Sequence, residues 1–307
     1  MAIPVPENKI VQPPPTAYRG RFAPSPTGPL HFGSLVAAAG SYLQAHSRGG
    51  SWHVRIEDID PPREVPGAAR AQLETLKKFG LTSQHPVIYQ RANSRRHLDA
   101  VGRLVGTGRA FHCGCTRSDL PESGVYPGTC RGGLGTGRSA RSIRFLTEPG
   151  PVAFIDRIQG PVSQDLSVEI GDFIIRRADG LIAYQLAVVA DDAAEGITEV
   201  VRGADLLDST PRQIALYRAL NLPVPAWMHL PLIVDERGEK LSKSLAADPV
   251  NRLKPAAGLR LALRALGHEP PGSARSLDAI WRWARSHWHA DAVPAGPCAV
   301  GVHPATS

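Results

Sequence analysis

Apolar positions along this chain switch repeatedly between two periods. Residues 19–23 are short and bounded by proline and glycine, and residues 52–56 alternate, which predicts two strands. Residues 35–46 carry apolar side chains at helical spacing behind Ser34, a residue suited to capping the helix start. A second helix is expected over 66–79, stopped by Gly80. The rhythm returns with a strand at 198–201 and a helix opened by Thr210, with Pro211 at its first position, running to Leu220. Strands alternating with helices predict an α/β fold around a parallel sheet. That alternation ends near Ser244. Beyond it, Leu259, Leu263 and Leu266 share one helical face, as do Leu277, Trp281, Ala284 and Trp288. Two short helices follow, with the tryptophans read as core rather than as base-stacking platforms.

The middle of the chain breaks this pattern. From about residue 106 to 150 it is rich in glycine, arginine and cysteine, the mark of an insertion, whereas residues 1–16 hold Pro4, Pro6 and Pro13-Pro14-Pro15 and predict a loose extension. At 307 residues and 42% hydrophobic content, the chain can bury one domain with an insertion or two small ones. No apolar run approaches the roughly 20 residues that cross a bilayer, and the N-terminus lacks a signal-peptide pattern. A cytoplasmic protein without a membrane partner is therefore expected. A formal charge of +7 permits a polyanionic partner without requiring one. Four cysteines in such a setting read as metal ligands or buried thiols rather than as a disulfide framework.

Two stretches concentrate the chemistry: Pro24-Ser25-Pro26-Thr27-Gly28-Pro29-Leu30-His31-Phe32-Gly33-Ser34, and Lys240-Leu241-Ser242-Lys243-Ser244. A glycine turn between strand and helix can aim backbone donors and the positive helix end at a phosphate, with His31 adding a hydrogen bond. Taken alone, the first could be a proline-rich turn and the second a solvated charged loop; in this order they describe an ATP site. Cys113, Cys115 and Cys130 fall within 18 residues and suit zinc, with His112 available as a fourth ligand; three reduced structural thiols are the competing reading. Cys298 lies far from them in a proline-rich tail.

The two stretches resemble the HIGH and KMSKS motifs of class I aminoacyl-tRNA synthetases. Residues 21–28 and Arg55-Ile56-Glu57-Asp58 resemble the glutamyl branch, and the likeness spans about 19–244. Phe32 and Ser34 depart from the literal HIGH letters, and Leu241 replaces methionine. The resemblance implies a Rossmann-type catalytic domain with a zinc-binding insertion and a short helical C-terminal tail. It divides the chain into an extension (1–16), the first half of the catalytic domain (17–105), the insertion (106–172), the second half with the lysine loop (173–247) and the tail (248–307). It also implies that ATP, carrying Mg2+, is held by His31, Gly33 and Lys243, with Lys240 and Lys243 stabilising the leaving pyrophosphate. For glutamate it implies Arg21, Phe22, Ala23, Pro24 and Ser25 from the first loop, then Glu57 for the amine, Tyr184 and Arg202. The family's zinc set of three cysteines and a tyrosine oxygen puts Tyr126 beside Cys113, Cys115 and Cys130, leaving His112 as its competitor. Asp58 and Asp60, followed by Pro61-Pro62, read as turn caps rather than a magnesium site.

Residues 245–307 are too few for a helical anticodon-binding domain in addition to completing the catalytic body. That shortness resembles the glutamyl-queuosine tRNA(Asp) synthetases, which place glutamate on queuosine in the anticodon loop. Queuosine-containing tRNA(Asp) is the implied acceptor, Arg131, Arg138, Arg141 and Arg144 candidates for its backbone, and a monomer the expected state. The alternatives are a compact enzyme charging the 3′ end of tRNA(Glu), a non-catalytic RNA- or protein-binding paralogue, and a nucleotidyltransferase of related fold.

Overall fold

The computed structural model describes residues 17–234 and 249–299. It opens with β1 (Arg19–Phe22), α1 (Phe32–Ser47), β2 (Ser51–Ile56), α2 (Ala68–Lys78), β3 (Ile88–Tyr89) and α3 (Ser94–Gly106). Strands β1, β2 and β3 pair in parallel, with Arg21 opposite His53 and Ile56 opposite Tyr89. The helix start differs from expectation: His31, not Ser34, caps α1, its Nδ1 accepting from the Ser34 amide at 3.3 Å. The imidazole serves the orphan amides of the first turn, so Phe32 and Gly33 join the helix. Helix α2 starts two residues later than its periodicity suggests, because Gly67 precedes it in a left-handed conformation at φ 79°. Gly80, at φ 75°, ends it as expected.

The insertion follows as β4 (Ala110–Cys113), β5 (Ser142–Phe145), β6 (Val152–Asp156), β7 (Gly160–Gln164), the single turn α4 (Leu166–Glu169) and β8 (Ile174–Arg176). Here pairing is antiparallel, β4–β5–β8 in one sheet and β6–β7 in a ribbon. The change of strand sense explains why the βα rhythm vanishes from the sequence, and the sheet extends past residue 172 to Arg176.

The parallel pattern resumes with α5 (Tyr184–Ala194), β9 (Glu199–Gly203), α6 (Thr210–Ala219) and β10 (Ala226–Leu230). Pro211 is the second rather than the first residue of α6. Strands β9 and β10 are parallel, with Arg202 opposite His229. The Thr198 amide donates to the Arg19 carbonyl at 3.0 Å, setting β9 beside β1. Thus β1 has β2 on one flank and β9 on the other, and the chain leaves in opposite directions from the carboxyl ends of neighbouring strands, where open α/β sheets form ligand crevices. Gly40 of α1 sits so close to β10 that a Cβ there would lie 2.6 Å from Leu230.

Two-residue strands β11 (Ile233–Val234) and β12 (Cys298–Ala299) pair across the end, enclosing α7 (Pro255–Ala265) and α8 (Leu277–His287). Leu259, Leu263, Leu266, Trp281 and Trp288 are buried in one core with α1, β1 and β2. Trp281 Nε1 donates to the Phe79 carbonyl at 2.8 Å and Trp288 Nε1 to Gln44 at 3.0 Å, so both rings are structural. Among the described residues, no helix is long and apolar enough to cross a membrane.

Candidate active site and cysteine centre

A cavity of about 550 Å³ lies where β1, β2 and β9 end. It gathers Arg21, Phe22, Ala23, Pro24 and Ser25 from β1 and its loop, His31 and Gly33 from the start of α1, Glu57 after β2, Tyr184 at the start of α5 and Arg202 from β9. Every proposed glutamate contact therefore faces one space. Lys240 and Lys243 lie outside the described residues. Gln72 of α2 clasps the loop underneath, its Nε2 donating to the carbonyls of Ser25 at 2.9 Å and Gly28 at 2.7 Å.

Buried charge organises the cavity. Arg21 reaches Asp192 through Nε and Nη2 at 3.1 Å each, while Arg55 reaches the same carboxylate at 2.8 Å and Glu195 at 2.9 Å. Burial would raise the Asp192 pKa, but Arg21 and Arg55 outweigh it and hold the group below the usual carboxylate range. Glu57 moves the other way: burial pushes its carboxyl up despite Arg55 and Arg21. A carboxylate in that condition gains from an incoming ammonium.

Arg202 is held from behind. Its Nε meets His229 Nε2 at 3.0 Å, Nη2 donates to Thr210 Oγ1 at 2.8 Å and Nη1 to Tyr184 Oη at 3.3 Å. Since guanidinium only donates, His229 Nε2 must accept, which puts the imidazole proton on Nδ1, 2.6 Å from Asp156. Burial lowers the His229 pKa against the pull of Asp156, consistent with a neutral ring. His31 is constrained alike: with Nδ1 accepting from Ser34, Nε2 is the nitrogen that carries a proton.

Sequence reasoning missed Asp192, Asp156, His229 and Gln72. A faint signal existed for the first, since two adjacent acids inside the otherwise apolar helix Tyr184–Ala194 need a buried partner. Nothing local marks the others. Asp58 and Asp60 are engaged by protein groups: Asp58 accepts from the Arg91 amide at 2.8 Å, and Asp60 pairs with Arg63 and Arg177.

The second centre sits in the insertion. Cys113, Cys115 and Cys130 are buried, with their sulfurs within 4.8 Å of one another. Tyr126 Oη lies 3.5 Å from Cys113 Sγ and 3.8 Å from Cys115 Sγ. His112 is exposed on β4 and belongs to no such group, while Cys298 pairs in β12. The 3.7 Å between Cys115 and Cys130 sulfurs matches what tetrahedral geometry requires of thiolates bonded at about 2.3 Å, so the donor set is compatible with zinc. Burial pushes the Cys113 thiol up, but hydrogen bonds from Tyr126, the Cys115 amide and Arg144 bring it down to about 7.

One expectation is corrected here. Arg144 is not free for RNA: it is buried, stacks 4.0 Å over the Tyr126 ring, contacts Cys113 Sγ at 3.4 Å and donates to the Asp172 carbonyl. Arg131 forms a two-point pair with Asp172, and Arg138 pairs with Asp119 and touches Cys115. Arg141 stays exposed. Arg131, Arg138 and Arg144 brace the centre because sulfur acceptors and the Asp119 and Asp172 carboxylates lie together in a small space.

A family model described as tRNA synthetases class I (E and Q), catalytic domain, matches residues 17–124 and 136–253. The chain is 51% identical over 287 residues to the Glutamyl-Q tRNA(Asp) synthetase of Chromobacterium violaceum, covering 91% of this chain and 96% of that one. It belongs to the glutamyl-Q tRNA(Asp) synthetase family. A second member of the glutamyl-Q family, from Dechloromonas aromatica, is 53% identical over 288 residues, covering 90% of this chain and 96% of its relative. Among solved structures, the glutamate-tRNA synthetase of Elizabethkingia anophelis superposes with a TM-score of 0.79 at 24% identity, over 94% of this chain and 68% of that one. That likeness establishes the shared class I synthetase fold.

Proposed function

We propose that the protein activates L-glutamate with ATP and transfers it to queuosine in the anticodon loop of tRNA(Asp). What carries the reading is the single cavity in which two buried arginines, Glu57 and the His31 loop face one another at the strand ends. Arg202, held by His229, Thr210, Leu206 and Tyr184, offers its charge and its remaining Nη1 N–H to one glutamate carboxylate, and Glu57 takes the ammonium. Arg21, aligned by Asp192, adds positive potential on the same wall. His31 donates from Nε2 to the ATP phosphates, and Magnesium accompanies ATP as part of that substrate.

In the first step a glutamate α-carboxylate oxygen bonds to the α-phosphorus while the bond to pyrophosphate breaks. Pyrophosphate leaves with its electron pair, its growing charge stabilised by Lys240 and Lys243. In the second, a queuosine hydroxyl oxygen bonds to the acyl carbon and the anhydride bond to phosphate breaks. Adenylate departs, accepting the hydroxyl proton. Proximity does most of the work once the carbonyl is activated.

Cys113, Cys115, Cys130 and Tyr126 would hold a zinc ion of structural role, closing the insertion loop. The protein acts as a monomer on tRNA(Asp). The test is transfer of labelled glutamate, with ATP, to queuosine-containing tRNA(Asp), the same tRNA without queuosine, and tRNA(Glu). Label on the first alone is expected. Label on tRNA(Glu) would make this a compact translation enzyme, and label on none would end the catalytic reading.

A further inference from the structure

The β6–β7 ribbon is a sheet of its own, separate from the β4–β5–β8 sheet beside the cysteines. Its turn is seated on β10: the Arg157 amide donates to the Trp227 carbonyl at 3.0 Å and Gln159 Nε2 to the His229 carbonyl at 2.8 Å. Asp156, the last residue of β6, is buried there. Its Oδ1 accepts from the amides of Ile158 at 3.0 Å and Gln159 at 2.9 Å, and the His229 amide lies 3.1 Å from both oxygens. Oδ2 faces His229 Nδ1 at 2.6 Å. Across the ring, Nε2 accepts from Arg202 Nε at 3.0 Å. Thr210 Oγ1, 3.2 Å from the same nitrogen, accepts from Arg202 Nη2, so its own proton can point at Nε2.

A neutral imidazole has one proton for two nitrogens, and the partner of one nitrogen decides the role of the other. A carboxylate has no proton to offer, so Asp156 demands an N–H at Nδ1 and thereby makes Nε2 the acceptor that Arg202 needs. Asparagine at this place has nearly the same shape and the opposite polarity. Its carbonyl oxygen must take the Oδ1 position, where two backbone amides donate, which puts its NH2 in the Oδ2 position against Nδ1. Nδ1 then accepts, the ring proton moves to Nε2, and a donor faces the Arg202 Nε donor.

We propose that Asp156 is a positioning residue for the glutamate site: by locking the tautomer of His229, the ribbon holds Arg202 where its Nη1 N–H meets a substrate carboxylate. The inference rests on the proposed role of Arg202 in binding glutamate. Asp156 touches no substrate, and no covalent bond is made or broken between it and the cavity.

Asp156→Asn, His229→Gln and the double variant test it in glutamate-dependent ATP–pyrophosphate exchange. Asp156→Asn is expected to raise the KM for glutamate about thirtyfold, more than removal of the imidazole does, with kcat changed less than about twofold. In His229→Gln the amide oxygen accepts from Arg202 whatever stands at position 156. Adding Asp156→Asn to that variant should therefore change KM less than about twofold, and the double variant should bind glutamate better than Asp156→Asn alone. Nitrogen-15 NMR of the imidazole reads the lock without substrate: a protonated Nδ1 in the unaltered protein and a protonated Nε2 in Asp156→Asn. A proton on Nε2 in the unaltered protein, an unchanged KM in Asp156→Asn, or fold-changes that multiply in the double variant would overturn the lock. Unaltered protein that shows the expected tautomer but no glutamate-dependent exchange would overturn the glutamate reading instead, so the two failures are told apart.

Discussion

At the substrate cavity, side chains from β1, β2, α5 and β9 converge, and the carboxylate that aligns Arg21 and Arg55 comes from Asp192, far along the chain from both. At the cysteine centre, all four candidate ligands lie between residues 113 and 130, with the Arg144 guanidinium stacked over Tyr126. The first site exists only when the parallel sheet has formed; the second gathers its cysteines from one loop, braced by Arg144 of β5. Long-range ion pairing therefore ties activation chemistry to global folding, whereas the insertion can loosen with less effect on the cavity.

The sharpest way to break this contrast is Asp192→Ala. It leaves Arg21 and Arg55 buried without their shared counter-ion and is expected to destabilise the protein by about 3–5 kcal/mol in urea denaturation. Glutamate-dependent exchange should fall with it. Unfolding at the wild-type midpoint would show that the cavity is held by other contacts. The same pair sets an acid limit: Asp192 sits below its unfolded pKa of about 3.9, so its contribution is present above that value and fades as pH drops through the lower native one.

A smaller and local effect is expected at the other centre. Cys115→Ser should abolish stoichiometric zinc and reduce hydrogen-exchange protection around β4 and β5, while α1 keeps its protection to within about threefold. Zinc retained at one equivalent would remove Cys115 from the ligand set, and equal loss of protection in α1 would erase the distinction between the regions.

The smallest effect concerns positioning alone. His229→Ala removes the acceptor that fixes Arg202, yet Asp156 keeps backbone donors from His229, Ile158 and Gln159. The KM for glutamate should rise about tenfold with kcat changed less than about twofold, and His229→Gln, whose amide oxygen can replace Nε2, should recover part of the loss. An unaltered KM would dismiss the relay.

Legibility in the sequence followed the range of the interactions. The strand, turn and helix around His31 were readable because local backbone preference dictates them, as were the clustered cysteines and the tryptophan faces of the final helices. Even there, the capping role passed from Ser34 to His31, since either side chain can reach the first-turn amides and only the loop path selects one. Asp156, Asp192 and His229 stayed hidden because their partners lie many elements away, and no periodicity encodes a pairing such as Arg21 with Asp192. Arg144 misled for the opposite reason: an arginine in a basic insertion resembles a phosphate ligand until the aromatic ring and sulfur beside it are seen.

Gln72 gives the loop before His31 a thermodynamic history. By gripping the carbonyls of Ser25 and Gly28, it fixes that segment during folding, before any nucleotide arrives. The entropy of ordering is then charged to the stability of the apo protein instead of to each encounter with ATP. A rigid cradle of this kind admits its substrate without rearrangement, and its turnover is free to be governed by how quickly the products depart.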